Sequence, residues 1–130
     1  MAVHAVSKLG ALRSNQSVAV FGCGPVGLLC MAVAKALGAS RVVAVDIVPS
    51  RLEFAKAYAA TDVFLPPAME KDESRTAFSM RNAQAMKEKL GITERGPQAI
   101  DLVVDASGAE VSIQTGLRIA KSGGTFVQVN

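Results

Sequence analysis

Ser17-Val18-Ala19-Val20-Phe21-Gly22-Cys23-Gly24-Pro25-Val26-Gly27 joins a short apolar run to a Gly-x-Gly-x-x-Gly loop that opens into a helical pattern. The spacing asks for glycine three times, each for its own reason. Gly22 turns the chain sharply out of a strand, Gly24 lets backbone approach a pyrophosphate, and Gly27 lets the helix pack against the strand. Phosphates would then face the free N–H groups of the helix N-terminus. The stretch reads as a dinucleotide-binding turn.

A glycine pattern alone is a weak signal, so its surroundings decide. Leu28 to Gly38 is rich in helix formers and stops at a glycine, as a helix C-terminus does. Arg41-Val42-Val43-Ala44-Val45-Asp46 is a nearly continuous apolar run of the kind a parallel strand buried on both faces requires, and it ends in an acid. Asp46 stands 19 residues past Gly27, where a carboxylate can accept hydrogen bonds from both ribose hydroxyls of an adenosine.

The alternation continues. Pro49 to Tyr58 predicts a second helix, and Thr61-Asp62-Val63-Phe64-Leu65 a third strand stopped by Pro66-Pro67. Ala68 to Ser74 reads as a polar loop, with Glu70, Lys71, Asp72 and Glu73 on a solvated surface. Thr76 to Leu90, with Phe78, Ala83, Met86 and Leu90 near helical spacing, predicts an amphipathic helix. Ile100 to Asp105 predicts a fourth strand, Ser112 to Lys121 a helix, Gly123-Gly124 a turn, and Thr125 to Val129 a fifth strand. This order predicts an α/β fold, a doubly wound Rossmann-type parallel sheet in three αβα layers, with strand order 3-2-1-4-5 and truncated after the fifth strand. Ligands of such sheets lie outside the carboxyl ends of the strands, so Asp105 to Gly108 should come near the cofactor. Asp105 itself reads as a turn or capping residue.

Composition bounds the rest. The 130 residues suit one domain, and 50% hydrophobic content suits a well-buried core. A net charge of +3 from 14 basic residues scattered between Lys8 and Lys121 argues against a nucleic-acid function, which needs a concentrated basic face. Neither a membrane span nor a signal peptide is visible, and a cytoplasmic, reducing location follows as the default. Cys23 and Cys30 lie roughly 10 Å apart along a helix, too far for a disulfide. His4, the single histidine, stands in a different segment, so no metal site is expected and no catalytic residue is assigned.

Gly22-Cys23-Gly24-Pro25-Val26-Gly27, the Asp46-x-x-x-x-Arg51 spacing, Asp105-Ala106-Ser107-Gly108-Ala109-Glu110, and Gly123-Gly124-Thr125-Phe126-Val127-Gln128-Val129 together resemble the cofactor domain of zinc-dependent medium-chain dehydrogenases. The likeness extends to the polyol branch of sorbitol and xylitol type, especially the fungal D-xylulose reductase and arabitol group. It covers nearly the whole chain. The proline-bearing glycine motif is shared by many medium-chain dehydrogenases, whereas the Ser-Gly-Ala-Glu and Gly-Gly-Thr-x-Val-Gln-Val stretches are more particular to that branch.

The resemblance implies NAD as cofactor, with Val26 packed beside it, Asp46 on the adenosine ribose and Arg51 near that ribose or the adenine. Ser107, Gly108 and Val129 would line the path toward the nicotinamide. Asn130 departs from the glycine usual at its position, and the stretch from Pro66 to Ser74 is longer and more charged than the family pattern. The resemblance further implies catalysis through a zinc bound by Cys, His and an acid in a separate domain, polarising a sugar alcohol or ketose as hydride moves. Those ligand motifs do not occur here. Residues 1–14 resemble the helix that leads from the catalytic domain into a single cofactor domain over 1–130. The chain is therefore expected to be a piece of a larger, homo-oligomeric enzyme, binding cofactor without turning over substrate.

Other classes fit less well. A short-chain dehydrogenase needs a Tyr-x-x-x-Lys pair, and Tyr58 is followed four places on by Asp62. A 2-hydroxy-acid dehydrogenase wants a histidine base beyond the first βαβ units, and His4 precedes the first strand. An S-adenosylmethionine-dependent methyltransferase also places an acid after its second strand, with a different glycine loop. A stand-alone NAD-sensing regulatory module is indistinguishable by sequence from an excised domain.

Overall fold

The computed structural model describes residues 11–129. Its centre is a five-stranded sheet in which β1 (Ser17–Phe21), β2 (Arg41–Val45) and β4 (Ile100–Asp105) lie between the edge strands β3 (Asp62–Phe64) and β5 (Ala120–Gln128). The order is β3-β2-β1-β4-β5, and every neighbouring pair is parallel. This is the predicted doubly wound arrangement.

Alternation along the strands builds two cores. Val18, Val20, Val42, Ala44, Leu102 and Val104 share an apolar cluster with Cys30, Met31 and Ala34 of α1 (Pro25–Ala36) and with Leu52 and Ala55 of α2 (Pro49–Tyr58). The intervening residues Ala19, Phe21, Val43, Val45 and Val103 cluster with Ala83 and Met86 of α3 (Arg75–Leu90) and Ile119 of α4 (Glu110–Ile119). Both faces of each central strand are therefore dry, which is why β1, β2 and β4 read as continuous apolar runs. Burying each valine, leucine or phenylalanine among them contributes about 1.5–3 kcal/mol.

Local chemistry sets the helix ends. Pro25 and Pro49 open α1 and α2, where proline's missing N–H costs no helical bond. The Ser74 hydroxyl caps α3 by accepting from the N–H of Ala77 at 3.0 Å, and Gly91 ends it in the left-handed region at φ 65°.

Two expectations shift. The last helix runs from Glu110 to Ile119 instead of Ser112 to Lys121, and β5 starts at Ala120, so Gly123-Gly124 lies inside the strand. Between the pairs Ile100–Ala120 and Leu102–Thr125, β5 advances five positions while β4 advances two. The glycine pair, with Gly123 at φ 77°, lets the chain bulge and return to register instead of ending the element. Glu73 is likewise not a solvated charge. Its carboxylate receives Arg81 Nε and Nη2 at 2.9 and 2.8 Å, and Arg81 Nη2 also donates to the Ala68 carbonyl at 3.0 Å.

Cys23 and Cys30 are free and buried. His4, Asn130 and most of the expected lead-in helix lie outside the described residues. Among the described residues no helix is long and apolar enough to cross a membrane.

Candidate cofactor site

Two turns meet at the carboxyl edge of the sheet. The N–H of Gly22 donates to the Val45 carbonyl and the N–H of Ala106 to the Phe21 carbonyl, each at 2.8 Å, so the β1–α1 and β4–α4 turns leave the sheet side by side. Gly22 has φ 100°, and a Cβ there would lie 2.9 Å from the backbone nitrogen of Ser107. Gly27 is required by contact: a methyl group on it would overlap the Gly22 carbonyl oxygen. A Cβ on Gly24, by contrast, would meet nothing within 4 Å.

Gly24 caps α1 without a side-chain hydrogen bond, and the first turn carries no acid. The N–H groups of that turn have no intrahelical acceptor, and the helix dipole adds partial positive charge. An anion beside Gly24 meets both.

Asp46 is 8% exposed, and its two carboxylate oxygens are fixed by backbone. The N–H of Cys23 donates to Oδ2 at 2.8 Å and that of Val48 to Oδ1 at 2.9 Å. Each oxygen keeps a lone pair for a further donor. Arg51 Nη1 stands 3.9 Å from Oδ2, on a side chain that is 58% exposed. Beneath the loop the Cys23 thiol approaches the Val45 carbonyl at 3.8 Å, and burial, helped by the negative charge of Asp46, pushes its pKa up to about 12. It is a protonated packing group.

Asp105 is fully buried and organises the other turn. Its Oδ1 accepts from the Ser107 hydroxyl at 2.6 Å and the Ser107 N–H at 3.1 Å, and its Oδ2 from the Gly108 N–H at 3.2 Å. This is the turn-capping role read from sequence.

Gly22, Gly24, Asp46, Arg51 and Ser107 surround one cavity of about 390 Å³. Pro25, Val26 and Gly27 form the first turn of α1 beside it, with Val26 partly buried against the core. Gly108 lies on the neighbouring turn, and Val129, whose N–H donates to the Asp105 carbonyl at 2.8 Å, is buried in the apolar cluster. Sequence reasoning missed Ile47, Pro66, Ala109, Val111 and Ser112 in the cavity wall. Ile47 carried a usable signal, an apolar residue directly after the strand-end acid. It is 79% exposed.

The cavity fits a dinucleotide: a glycine with open space before it, unpaired helix N–H groups, and a fixed carboxylate for vicinal hydroxyls. Among the described residues, no group of three or more His, Cys, Asp or Glu side chains could hold a metal ion.

Comparison with known proteins gives the family and the fold. Residues 25–130 match the sequence profile of the family described as zinc-binding dehydrogenase. D-xylulose reductase A of Aspergillus niger is 50% identical over 129 residues, covering 98% of this chain and 32% of that protein. Among solved structures, an alcohol dehydrogenase from Thermus sp. ATN1 aligns with 99% of this chain and 34% of its own, with a TM-score of 0.71 and 29% identity. Benzyl alcohol dehydrogenase from Acinetobacter calcoaceticus aligns with 99% of this chain and 31% of its own, with a TM-score of 0.78 and 26% identity. The chain spans about a third of the length of the curated relatives it matches.

Proposed function

The chain belongs to the zinc-binding dehydrogenase family, and from that membership we propose that it holds NAD(H) for a polyol dehydrogenase interconverting a sugar alcohol and a ketose. The nicotinamide, when bound, supplies hydride transfer. The chain's own residues supply binding and orientation. The pyrophosphate lies against the first turn of α1 at Gly24, Pro25, Val26 and Gly27, and the ribose hydroxyls donate to the free lone pairs of Asp46, with Arg51 alongside. Ser107, Gly108 and Val129 lead toward the nicotinamide. The polyol assignment draws on the printed name of the Aspergillus niger relative.

The observation that carries this reading is Asp46, a carboxylate buried at the end of β2 and pinned by the N–H of Cys23, so that the ribose acceptor and the phosphate loop form one unit. A carboxylate there repels a 2′-phosphate, so NAD(H) is favoured over NADP(H), while the Arg51 guanidinium moderates the preference. Calorimetric titration of the chain with NADH tests the reading. Saturable one-to-one binding, competed by ADP-ribose, is expected; absence of binding would remove the assignment.

A further inference from the structure

We propose that Arg81 is a positioning residue for the cofactor site: its grip on Glu73 and on the Ala68 carbonyl holds the β3–α3 loop in the conformation that a bound dinucleotide needs. The inference rests on the NAD(H) reading above and adds the side chain that keeps one wall of the site in place.

Pro66 is the loop's contribution to the Asp46 cavity. Together with Pro67, Ala68 and Met69 it also walls an adjoining apolar cavity of about 480 Å³. A ligand beside Asp46 therefore meets a wall that belongs to no helix or strand, since β3 ends at Phe64 and α3 starts at Arg75. Pro66 and Pro67 have no N–H to donate. The bonds from the Glu73 N–H to the Glu70 carbonyl at 3.1 Å, and from the Glu70 N–H to Glu73 Oε1 at 2.9 Å, stay inside the loop. Among the described residues, the hydrogen bonds that join residues 66–73 to the rest of the chain come from Arg81.

The planar guanidinium suits this task, because its donors form a rigid fork. Nε and Nη2 take the Glu73 carboxylate, and Nη2 also takes the Ala68 carbonyl, so one group ties both ends of residues 68–73 to α3. The same guanidinium lies 5.4 Å from the centroid of the Phe78 ring. Phe78 is buried and lines the adjoining cavity, so the loop is tied to a residue of that cavity's own wall. A segment with so few anchors opens and recloses locally. A ligand that needs it closed binds with an apparent Kd that rises as the closed fraction falls. Arg81 raises that fraction before the ligand arrives, and the bound ligand raises it further.

Calorimetric titration with NADH and limited trypsin digestion of the same samples test the coupling. Arg81→Met keeps an apolar stem beside Phe78 and removes the donors; Glu73→Ala removes the carboxylate from the loop and leaves α3 unaltered. Kd is expected to rise about three- to ten-fold in Arg81→Met and by a smaller factor in Glu73→Ala. The double variant should bind no more weakly than Arg81→Met alone, because both changes cut one grip. Cleavage after Lys71, which is exposed on the loop, should be faster in the variants and slowed by saturating NADH in every sample, as followed by mass spectrometry. An unchanged Kd in the folded variants, a raised Kd with cleavage no faster, or cleavage that NADH does not slow would each overturn the role of Arg81 while leaving the cofactor site standing. Glu73→Ala keeps the test decisive if Arg81→Met does not fold. Failure of the unaltered chain to bind NADH would overturn both readings.

Discussion

Asp46 has two structural tasks and, on the proposed reading, a third. It ties the glycine loop through Cys23, ties the start of the β2–α2 connection through Val48, and keeps lone pairs for the ribose. Asp46→Ala should therefore weaken NADH binding by about 1–3 kcal/mol and also lower the melting temperature, because one buried and one part-buried N–H group lose their acceptor. Asp46→Asn, which retains one carbonyl oxygen, should lose less of each. Calorimetry and thermal melts on the same samples separate the effects, and a variant Asp46→Ala with unaltered affinity would take the acid out of the site. Cys23 makes a second residue-level prediction. With its thiol pushed up to about 12 by burial, it should resist iodoacetamide at mildly alkaline pH in the folded chain and react in denaturant, as counted by mass spectrometry. Rapid native alkylation at Cys23 would contradict the packing described here.

At the level of elements, the loop between β3 and α3 is held by charge. Arg81 grips the Glu73 carboxylate with two hydrogen bonds and lowers its pKa to about 2, with the backbone at Glu70 contributing. A carboxyl lowered in the folded chain contributes stability that is present above the ordinary glutamate range and is lost as pH falls toward about 2. Carbon-detected NMR titration should find Glu73 ionised well into acid, and Arg81→Ala should return it to the ordinary range; an unperturbed Glu73 in the unaltered chain would contradict the ion pair. Elements marked by local signals were legible in the sequence. Pro49 opens α2 and Gly91 closes α3 because proline and glycine act on their own backbone. The start of β5 was not legible. It depends on pairing with β4 some twenty residues earlier, and a glycine pair that suits a turn equally suits a bulge. The Glu73–Arg81 pair was hidden for a similar reason, since the partners lie eight residues apart across a helix start.

For the whole molecule, the strand order followed from alternating strands and helices with short connections, since right-handed crossovers leave few arrangements. The acid after β2 and the glycines after β1 were readable because their spacing is fixed by one βαβ unit. The cavity wall was not, because Pro66, Val111 and Ser112 come from distant segments that only the sheet brings together at its carboxyl edge. The fold thus places an apolar slot, a fixed carboxylate and a bare helix end along one edge, which on the proposed reading take base, ribose and pyrophosphate. Side-by-side dissociation constants for NADH and NADPH, measured on the unaltered chain, test this most directly. The account predicts saturable NADH binding, at least several-fold tighter than NADPH, because the Asp46 carboxylate opposes a 2′-phosphate. Equal or tighter binding of NADPH, or no binding of NADH at all, would contradict it.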